Sequence, residues 1–486
     1  MPEIAPSSNR LPLAVSCLLA LAILVYTGIR AVKVGFTHDE ASSYMNLLHE
    51  SVKDLFFNER NWRAANNHLI NTLCMQVGDH FFGAEEWALR WASLVAGLLF
   101  LTYAFRTVRL WLPGNSWFFC GAFSIFVLNH FVIDFFSLAR GYGFCLAFEM
   151  AGLYYFFRWL QEERRSDLPK AVCALCAGIL ANFILLDVLA AFFATATIAF
   201  YLKNDRRYSF PSWLRLMALP ALPLLATALL IFQPMRWISA KGEFEYGPQG
   251  FWETWRVLVE RFVYDPFPGQ SWWKVLILVI ATIGFLVLGY TIVRRFRRTG
   301  INSNPSLFYA GLFTVTTMFA TVVQHYLLGA NYLSGRTAVL FYPLLSSVVI
   351  LYLIDLQKNI WPWVVVCGFM ILNFCAQLNL RHALEWQYDE NTAAALRLAN
   401  QRSDPRHKLN YGLGWQYYSS TLFYQQTRRL YNVEIVAYNA SHNDLDWVRN
   451  QPFDLIYIPV ELSPKVEDQY FVLQRFPQGV MMQRRP

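Results

Sequence analysis

Charge is scarce in this chain. Of its 486 residues only 15% are Asp, Glu, Lys or Arg, while 56% are hydrophobic, against roughly 25% and 45–50% for an ordinary soluble domain. That deficit excludes a soluble globular protein and leaves a polytopic membrane protein. There is no internal repeat, low-complexity tract, Walker loop, dinucleotide fingerprint or metalloprotease motif. A cleavable signal peptide is not evident, because Leu11–Tyr26 lacks a small-residue cleavage site and reads as a retained first span. Cysteine is absent after Arg381, so no disulfide holds the water-soluble tail together. Cys173 and Cys176 lie inside an apolar span with no partner His or Cys, and read as packing residues. The net charge of +8 resides in short basic clusters between apolar runs. Membrane orientation explains these clusters, and nucleic acid is discarded as a partner.

What is there is a series of apolar runs long enough for a bilayer of about 30 Å. They fall near Leu11–Arg30, Ala88–Arg106, Trp117–Val132, Leu138–Trp159, Ala171–Leu186, Val188–Tyr201, Leu214–Phe232, Trp272–Val293, Ser306–Gln324, Thr337–Ile354 and Trp361–Leu378. About eleven spans are expected. If each crosses once, Arg106/Arg109, Arg158/Arg164/Arg165, Lys203/Arg206/Arg207, Arg294/Arg295/Arg297/Arg298 and Lys358 all share one side, which is then cytoplasmic. The N-terminus is inside on this reading, and the first loop and the tail are outside. The expected organisation is a transmembrane domain over 1–380, with outward loops 31–87 and 233–271, followed by a soluble extracytoplasmic domain over 381–486.

In the first loop, Tyr44, Leu48, Val52 and Leu55 have the spacing of an amphipathic helix on the membrane surface. The second carries Trp237, Phe251, Trp252, Trp255 and Phe262 among charges, which suggests interfacial anchoring. The tail mixes helix-like stretches (Glu390–Gln401, Tyr417–Arg429) with strand-like ones (Val433–Ala437, Phe453–Val460, Tyr470–Gln474), giving a small α/β domain. It also holds one Asn439-Ala440-Ser441 sequon.

The stretch with chemistry in it is Gly35-Phe36-Thr37-His38-Asp39-Glu40-Ala41-Ser42, just beyond the first apolar run. Carboxylates there meet both a lipid headgroup and a water-soluble acceptor, which suits a lipid-dependent transferase. Thr37-x-x-Glu40 is also a capping box, and the two readings are compatible. A carboxylate shielded from bulk water is suited to deprotonate an acceptor hydroxyl, a contribution of about 10²–10⁴-fold. In the next outward turn Asp134 is a candidate to hold the acceptor or the base, and Arg140 to face a phosphate; a salt bridge between the two is the plainer alternative. Arg336 lies on the outer side against the positive-inside bias, which favours a leaving-group role over snorkelling. His325 and Tyr332 are its neighbours in sequence. Asn67 and His68 group amide and imidazole donors in the first loop. Glu149 falls near the middle of the fourth span, where it must be neutral or partnered.

These residues form a familiar order: His38-Asp39-Glu40-Ala41, Asn67-His68-Leu69-Ile70-Asn71, Arg90-Trp91-Ala92-Ser93-Leu94-Val95-Ala96-Gly97, Ala139-Arg140-Gly141-Tyr142, then Arg336 with Phe341-Tyr342-Pro343. In order and topology the chain resembles the GT-C superfamily of membrane glycosyltransferases, in particular the bacterial branch related to protein O-mannosyltransferases and the aminoarabinose transferases of lipid A. The resemblance runs from about Gly35 to Pro343. It implies a polyprenyl-phosphate sugar donor, a glycan, lipid or protein acceptor, an inverting displacement at the outer face, and a bacterial inner-membrane location among membrane lipids. Asp39 would then be the catalytic base, with Glu40 supporting the loop or the substrate. Asp134 would match the second-loop acid, and Arg336 the residue that meets the donor phosphate. No cofactor is called for, and a lone acidic pair leaves a divalent cation open. Two other classes stay in view: a transporter or flippase of lipid-linked sugar, and a membrane scaffold whose tail binds partners.

Overall fold

The computed structural model describes residues 10–485, apart from 63–65, 115, 204–210, 212, 215–217, 219, 244–246, 265–271, 357–358, 405, 407, 439–447, 449–450 and 452. The sequon at Asn439, and Arg206, Arg207 and Lys358 of the basic clusters, lie outside the described residues. Helices run in the order α1 (Leu11–Lys33), α2 (His38–Leu47), α3 (Val52–Phe57), α4 (Leu69–Phe82), α5 (Glu86–Trp111), α6 (Trp117–Val127), α7 (His130–Asp134), α8 (Tyr142–Glu162), α9 (Asp167–Ala181) and α10 (Leu185–Lys203). The apolar helices Ala221–Ala240, Trp272–Thr299, Pro305–Leu328, Phe341–Asp355 and Trp361–Ala376 follow. Among the described residues, six helices are long and apolar enough to cross a membrane, and each of the eleven expected runs contains a helix. The chain is a polytopic helical membrane protein.

By packing, the chain forms two compact units. The first comprises residues 1–28, 56–71 and 92–378, and the second 29–55, 72–91 and 379–486. The boundary expected at residue 380 follows a change in composition. Packing also draws residues 29–55 and 72–91 into the unit that holds the tail.

In the first unit, α8 packs on α9, and α10 on Pro305–Leu328. Small residues and hydroxyls permit the close approach: a Cβ on Gly152 would lie 3.0 Å from Leu175, and Thr195 and Thr316 hydroxyls meet at 3.0 Å. The Arg158 guanidinium is paired with Asp167 between α8 and α9. The segment expected as an interfacial anchor includes a helix, Phe251–Phe262. Both α7 and the 3₁₀ turn Gly335–Ala338 pack against it.

In the second unit, five strands form a sheet of order β2-β1-β3-β5-β4, with β1 (Leu409–Gly414), β2 (Val433–Tyr438), β3 (Leu455–Ile458), β4 (Tyr470–Phe476) and β5 (Gly479–Arg484). The β1–β2 and β1–β3 pairs are parallel, and the β3–β5 and β4–β5 pairs antiparallel. Helix Trp415–Thr427 connects β1 to β2, as parallel neighbours require. Helix Thr392–Arg402 and strands β2, β3 and β4 fall where the sequence pattern places them. Strands β1 and β5 do not announce themselves. Gly412 and Gly414 weaken the first as a strand, and Gly-Val-Met-Met-Gln-Arg has no period-two alternation.

One expected element is divided. The helix read through Tyr44, Leu48, Val52 and Leu55 breaks between α2 and α3, because the Ser51 hydroxyl accepts the Asp54 N–H at 3.1 Å and starts a new helix.

Glu149 on α8 is fully buried, and neither carboxyl oxygen has a hydrogen-bond partner among the described residues. Burial of an unpaired charge is costly, so the neutral form is the one consistent with this setting. Glu149→Gln should therefore leave the detergent-solubilised protein at least as thermostable as the wild type. A clear fall in Tm would mean that the carboxylate is charged and partnered.

Candidate active site

The acidic pair sits in the second unit, in a loop whose backbone is held from three directions. Thr37 has extended backbone (φ −76°, ψ 160°) and caps α2. Its hydroxyl accepts the Glu40 N–H at 3.4 Å, and the Glu40 carboxylate accepts the Thr37 N–H at 2.9 Å. Both halves of the capping box are thus present.

The same Glu40 carboxylate is gripped by Arg90 of α5, through Nε to Oε1 at 2.7 Å and Nη2 to Oε2 at 2.6 Å. Arg90 spends its other N–H groups on the carbonyls of Ala31 (3.1 Å), Val34 (2.7 Å) and Gly35 (2.9 Å). Neither partner is exposed. The planar fork of arginine matches a carboxylate and leaves donors over for the carbonyls that α1 leaves unsatisfied at its end. Phe36 covers this guanidinium, 5.3 Å from its ring centroid, and stacks at 4.2 Å on Phe423.

The third hold comes from the C-terminal part of the unit. The Phe36 N–H donates to the Tyr424 hydroxyl at 2.6 Å, and the His38 N–H to Oδ2 of Asp389 at 2.6 Å. Arg30, near the end of α1, donates to the carbonyls of Asn379 at 2.7 Å and His382 at 2.9 Å. The His38 ring lies edge-on to Trp415, with centroids 5.4 Å apart. Asp39, between His38 and Glu40, is 8% exposed. Burial pushes the Asp389 carboxyl from the ordinary 3.8 up to about 8, opposed by its hydrogen bond from Ser420 and reinforced by the charge of Asp39.

The remaining candidates lie in the first unit, in three groups. Asp134 ends α7, which Asn129 caps. Its Oδ2 accepts the Tyr264 hydroxyl at 2.8 Å, and its Oδ1 is 3.6 Å from His130 Nδ1. His130 Nε2 in turn meets the Tyr26 hydroxyl at 2.7 Å.

Arg140 donates to Asn66 Oδ1 at 2.6 Å and is buried, as are Asn67 and His68. A Cβ on Gly141 would fall 2.1 Å from the Ala181 carbonyl and 2.8 Å from His68. Only glycine lets these segments approach so closely, which brings the Asn66–His68 group and Arg140–Tyr142 together. Arg336 is half-buried in its 3₁₀ turn, begun by a Ser334–Thr337 capping box. His325 stacks on Tyr332 at 4.5 Å, and the Tyr332 N–H donates to the Pro248 carbonyl at 3.0 Å.

The sequence pattern gives Arg90 no role and does not point to Asp389, Tyr424 or Tyr264. Arg90 carries a usable signal, an arginine at the head of the apolar stretch of α5. The other three carry none, since the bonds that tie Asp389 and Tyr424 to the acidic loop and Tyr264 to Asp134 span more than a hundred residues. Among the described residues, no three His, Cys, Asp or Glu side chains are grouped to hold a metal ion.

Apolar helices together with a mixed sheet define a class of fold shared with a solved structure. The chain is similar over 98% of its length, and 98% of the other chain, to ArnT from Cupriavidus metallidurans bound to undecaprenyl phosphate, with TM-score 0.53 and 14% identity. The apo state of that protein matches with TM-score 0.51 and 14% identity, covering 96% of this chain and 97% of that one. Arabinosyltransferase EmbB from Mycobacterium smegmatis aligns with TM-score 0.36 and 12% identity over 81% of this chain and 44% of that one, too distant to bear on the fold. No protein-family model matches the sequence, and no curated protein does. What the chain shares with ArnT is therefore its fold.

Two outcomes follow from the loop's construction. Arg90→Ala strands the buried Glu40 charge and should cost about 3–5 kcal/mol of stability, read as a large drop in Tm; Arg90→Lys, lacking the fork, should recover only part of it. The Asp389 shift sets a sign as well. Its folded pKa lies above the unfolded value, so its stabilising contribution is complete below about pH 4 and is lost as pH rises through about 8. The Tm of the wild type should fall along that rise more steeply than that of Asp389→Asn.

Proposed function

We propose that the protein is an inverting membrane glycosyltransferase that moves one sugar from a polyprenyl-phosphate donor to an acceptor hydroxyl at the outer face of the bacterial inner membrane. The observation that carries this reading is the construction around Asp39. A carboxylate is mounted on the first turn of a helix, at the end of a membrane-length helix, by a buried lattice that engages both oxygens of the neighbouring Glu40. Glu40 is the anchor on this reading, and Asp39 the base.

Asp39 takes the proton of the acceptor hydroxyl as its oxygen bonds to the anomeric carbon from the face opposite the leaving group. The bond from that carbon to the phosphate oxygen breaks, and polyprenyl phosphate departs with the electron pair. A phosphate is a weak enough base to leave without a general acid. Arg140 and Arg336 neutralise it, with Asn67, His68, Tyr332 and His325 completing the substrate contacts. Asp134, bonded to Tyr264, holds its part of the site in place. A carbohydrate or lipid-linked glycan is favoured over protein as the acceptor.

The topology proposed with this function has eleven spans, a cytoplasmic N-terminus, and an extracytoplasmic site and C-terminal α/β domain. Two pairings support it. Arg295 is paired with Asp355, joining two helix ends expected on the cytoplasmic side, and Tyr332 bonds to Pro248, joining two loops expected outside. The fold shared with an ArnT that binds undecaprenyl phosphate supports the donor class.

Asp39→Asn should lower sugar release from a purified polyprenyl-phosphate donor by about 10²–10⁴-fold while leaving Tm near wild type. Activity close to wild type would remove Asp39 as the base. Arg336→Ala and Arg140→Ala should each weaken binding of undecaprenyl phosphate but not of undecaprenol. Equal loss for both lipids would place these arginines outside phosphate recognition.

A further inference from the structure

Asp389 has no place in the displacement just described, yet with Tyr424 it holds the backbone of the acidic loop from the tail. It lies in the 3₁₀ turn Leu384–Asn391 and is 2% exposed. One oxygen, Oδ2, accepts the His38 N–H at 2.6 Å; the other accepts the Ser420 hydroxyl at 2.6 Å and the Thr392 hydroxyl at 3.3 Å. Its main-chain carbonyl oxygen also lies 3.3 Å from where a Cβ on Gly35 would stand. A single residue of the tail thus bonds the loop at His38 and leaves little room for a side chain at Gly35, and the next residue along from His38 is Asp39.

Resting on the proposed function, we infer that Asp389 is a positioning residue for the catalytic base. It fixes the first amide of α2, and so the direction of the Asp39 side chain, and it places a second acid where its charge acts on Asp39. An acceptor at the N-terminus of a helix is a favourable and directional contact. Buried carboxyls that face each other raise one another's proton affinity. The groups facing Asp389 are His38 and Asp39 from α2, Tyr417, Ser420 and Tyr424 from helix Trp415–Thr427, Thr392 from helix Thr392–Arg402, and Tyr457 from β3. Burial pushes its carboxyl up to about 8, so the charge it places beside the acidic loop changes over that range.

Two substitutions separate the geometric effect from the charge. Asp389→Ala removes both. Asp389→Asn keeps a carbonyl oxygen for the His38 N–H and removes the charge. Each is made in the full-length protein in nanodiscs and read in two ways: hydrogen–deuterium exchange of the residue 36–41 amides, which needs no substrate, and the pH profile of sugar release from polyprenyl-phosphate donors carrying pentoses or hexoses.

Asp389→Ala should speed exchange at residues 38–41 and lower kcat by about 10- to 100-fold, the scale of a small misplacement of a reacting group, with KM for the donor little changed. Asp389→Asn should restore the exchange protection and most of kcat, but lose the inflection of the profile near pH 8. Wild-type exchange in Asp389→Ala, or an unaltered pH profile in a folded Asp389→Asn, would overturn the inference. A wild-type protein that transfers no sugar sinks the glycosyltransferase reading instead, and the exchange data then decide alone whether Asp389 anchors α2.

Discussion

A buried guanidinium, that of Arg90, organises the acidic loop. A chain leaving a membrane helix arrives with unsatisfied carbonyls, and here it must turn at once into a second helix bearing two carboxylates. Arg90 answers both demands, with two N–H groups on Glu40 and three on Ala31, Val34 and Gly35. Desolvating an arginine and a glutamate is expensive, and only complete hydrogen bonding makes the pair tolerable. The result is a loop with one register. Glu40 cannot turn away without orphaning Arg90, so Asp39 is carried in a defined place beside it.

The first unit uses the same device in another form. Asp134 is held by Tyr264 and lies beside His130, which is bound to Tyr26. Gly141 lets His68 and the Ala181 carbonyl close on the backbone next to Arg140. These contacts join segments far apart in the chain, with apolar helices as the rigid supports between them. The helix Phe251–Phe262 serves α7 and the turn carrying Arg336 alike. A segment whose aromatic residues suggest only an anchor to the interface is thereby also part of the framework behind two candidate residues.

The likeness to ArnT spans the whole chain at 14% identity, which is informative about what such a fold requires. Apolar residues are interchangeable in a lipid-facing helix, so most positions are free to drift. Backbone exits, caps and the polar contacts between loops are constrained, because a stranded donor or charge inside a membrane protein costs several kcal/mol.

Hydrophobic run length by itself determined the class of protein: a membrane span needs about 20 apolar residues, and that demand is written locally. The same is true of the Thr37–Glu40 cap, an interaction over three residues, and of the helices Thr392–Arg402 and Trp415–Thr427. Tertiary structure alone decided which partner each candidate has. Glu40 reads as a capping acid beside the candidate base until Arg90, fifty residues on, takes both of its oxygens. Asp389 reads as an ordinary acid in a polar tail until the fold sets it against the His38 amide, 351 residues away. The break between α2 and α3 was also settled by a side chain, Ser51, against the apolar period. Pairing of buried polar groups depends on distance in space, and a one-dimensional pattern records only the distances along the chain.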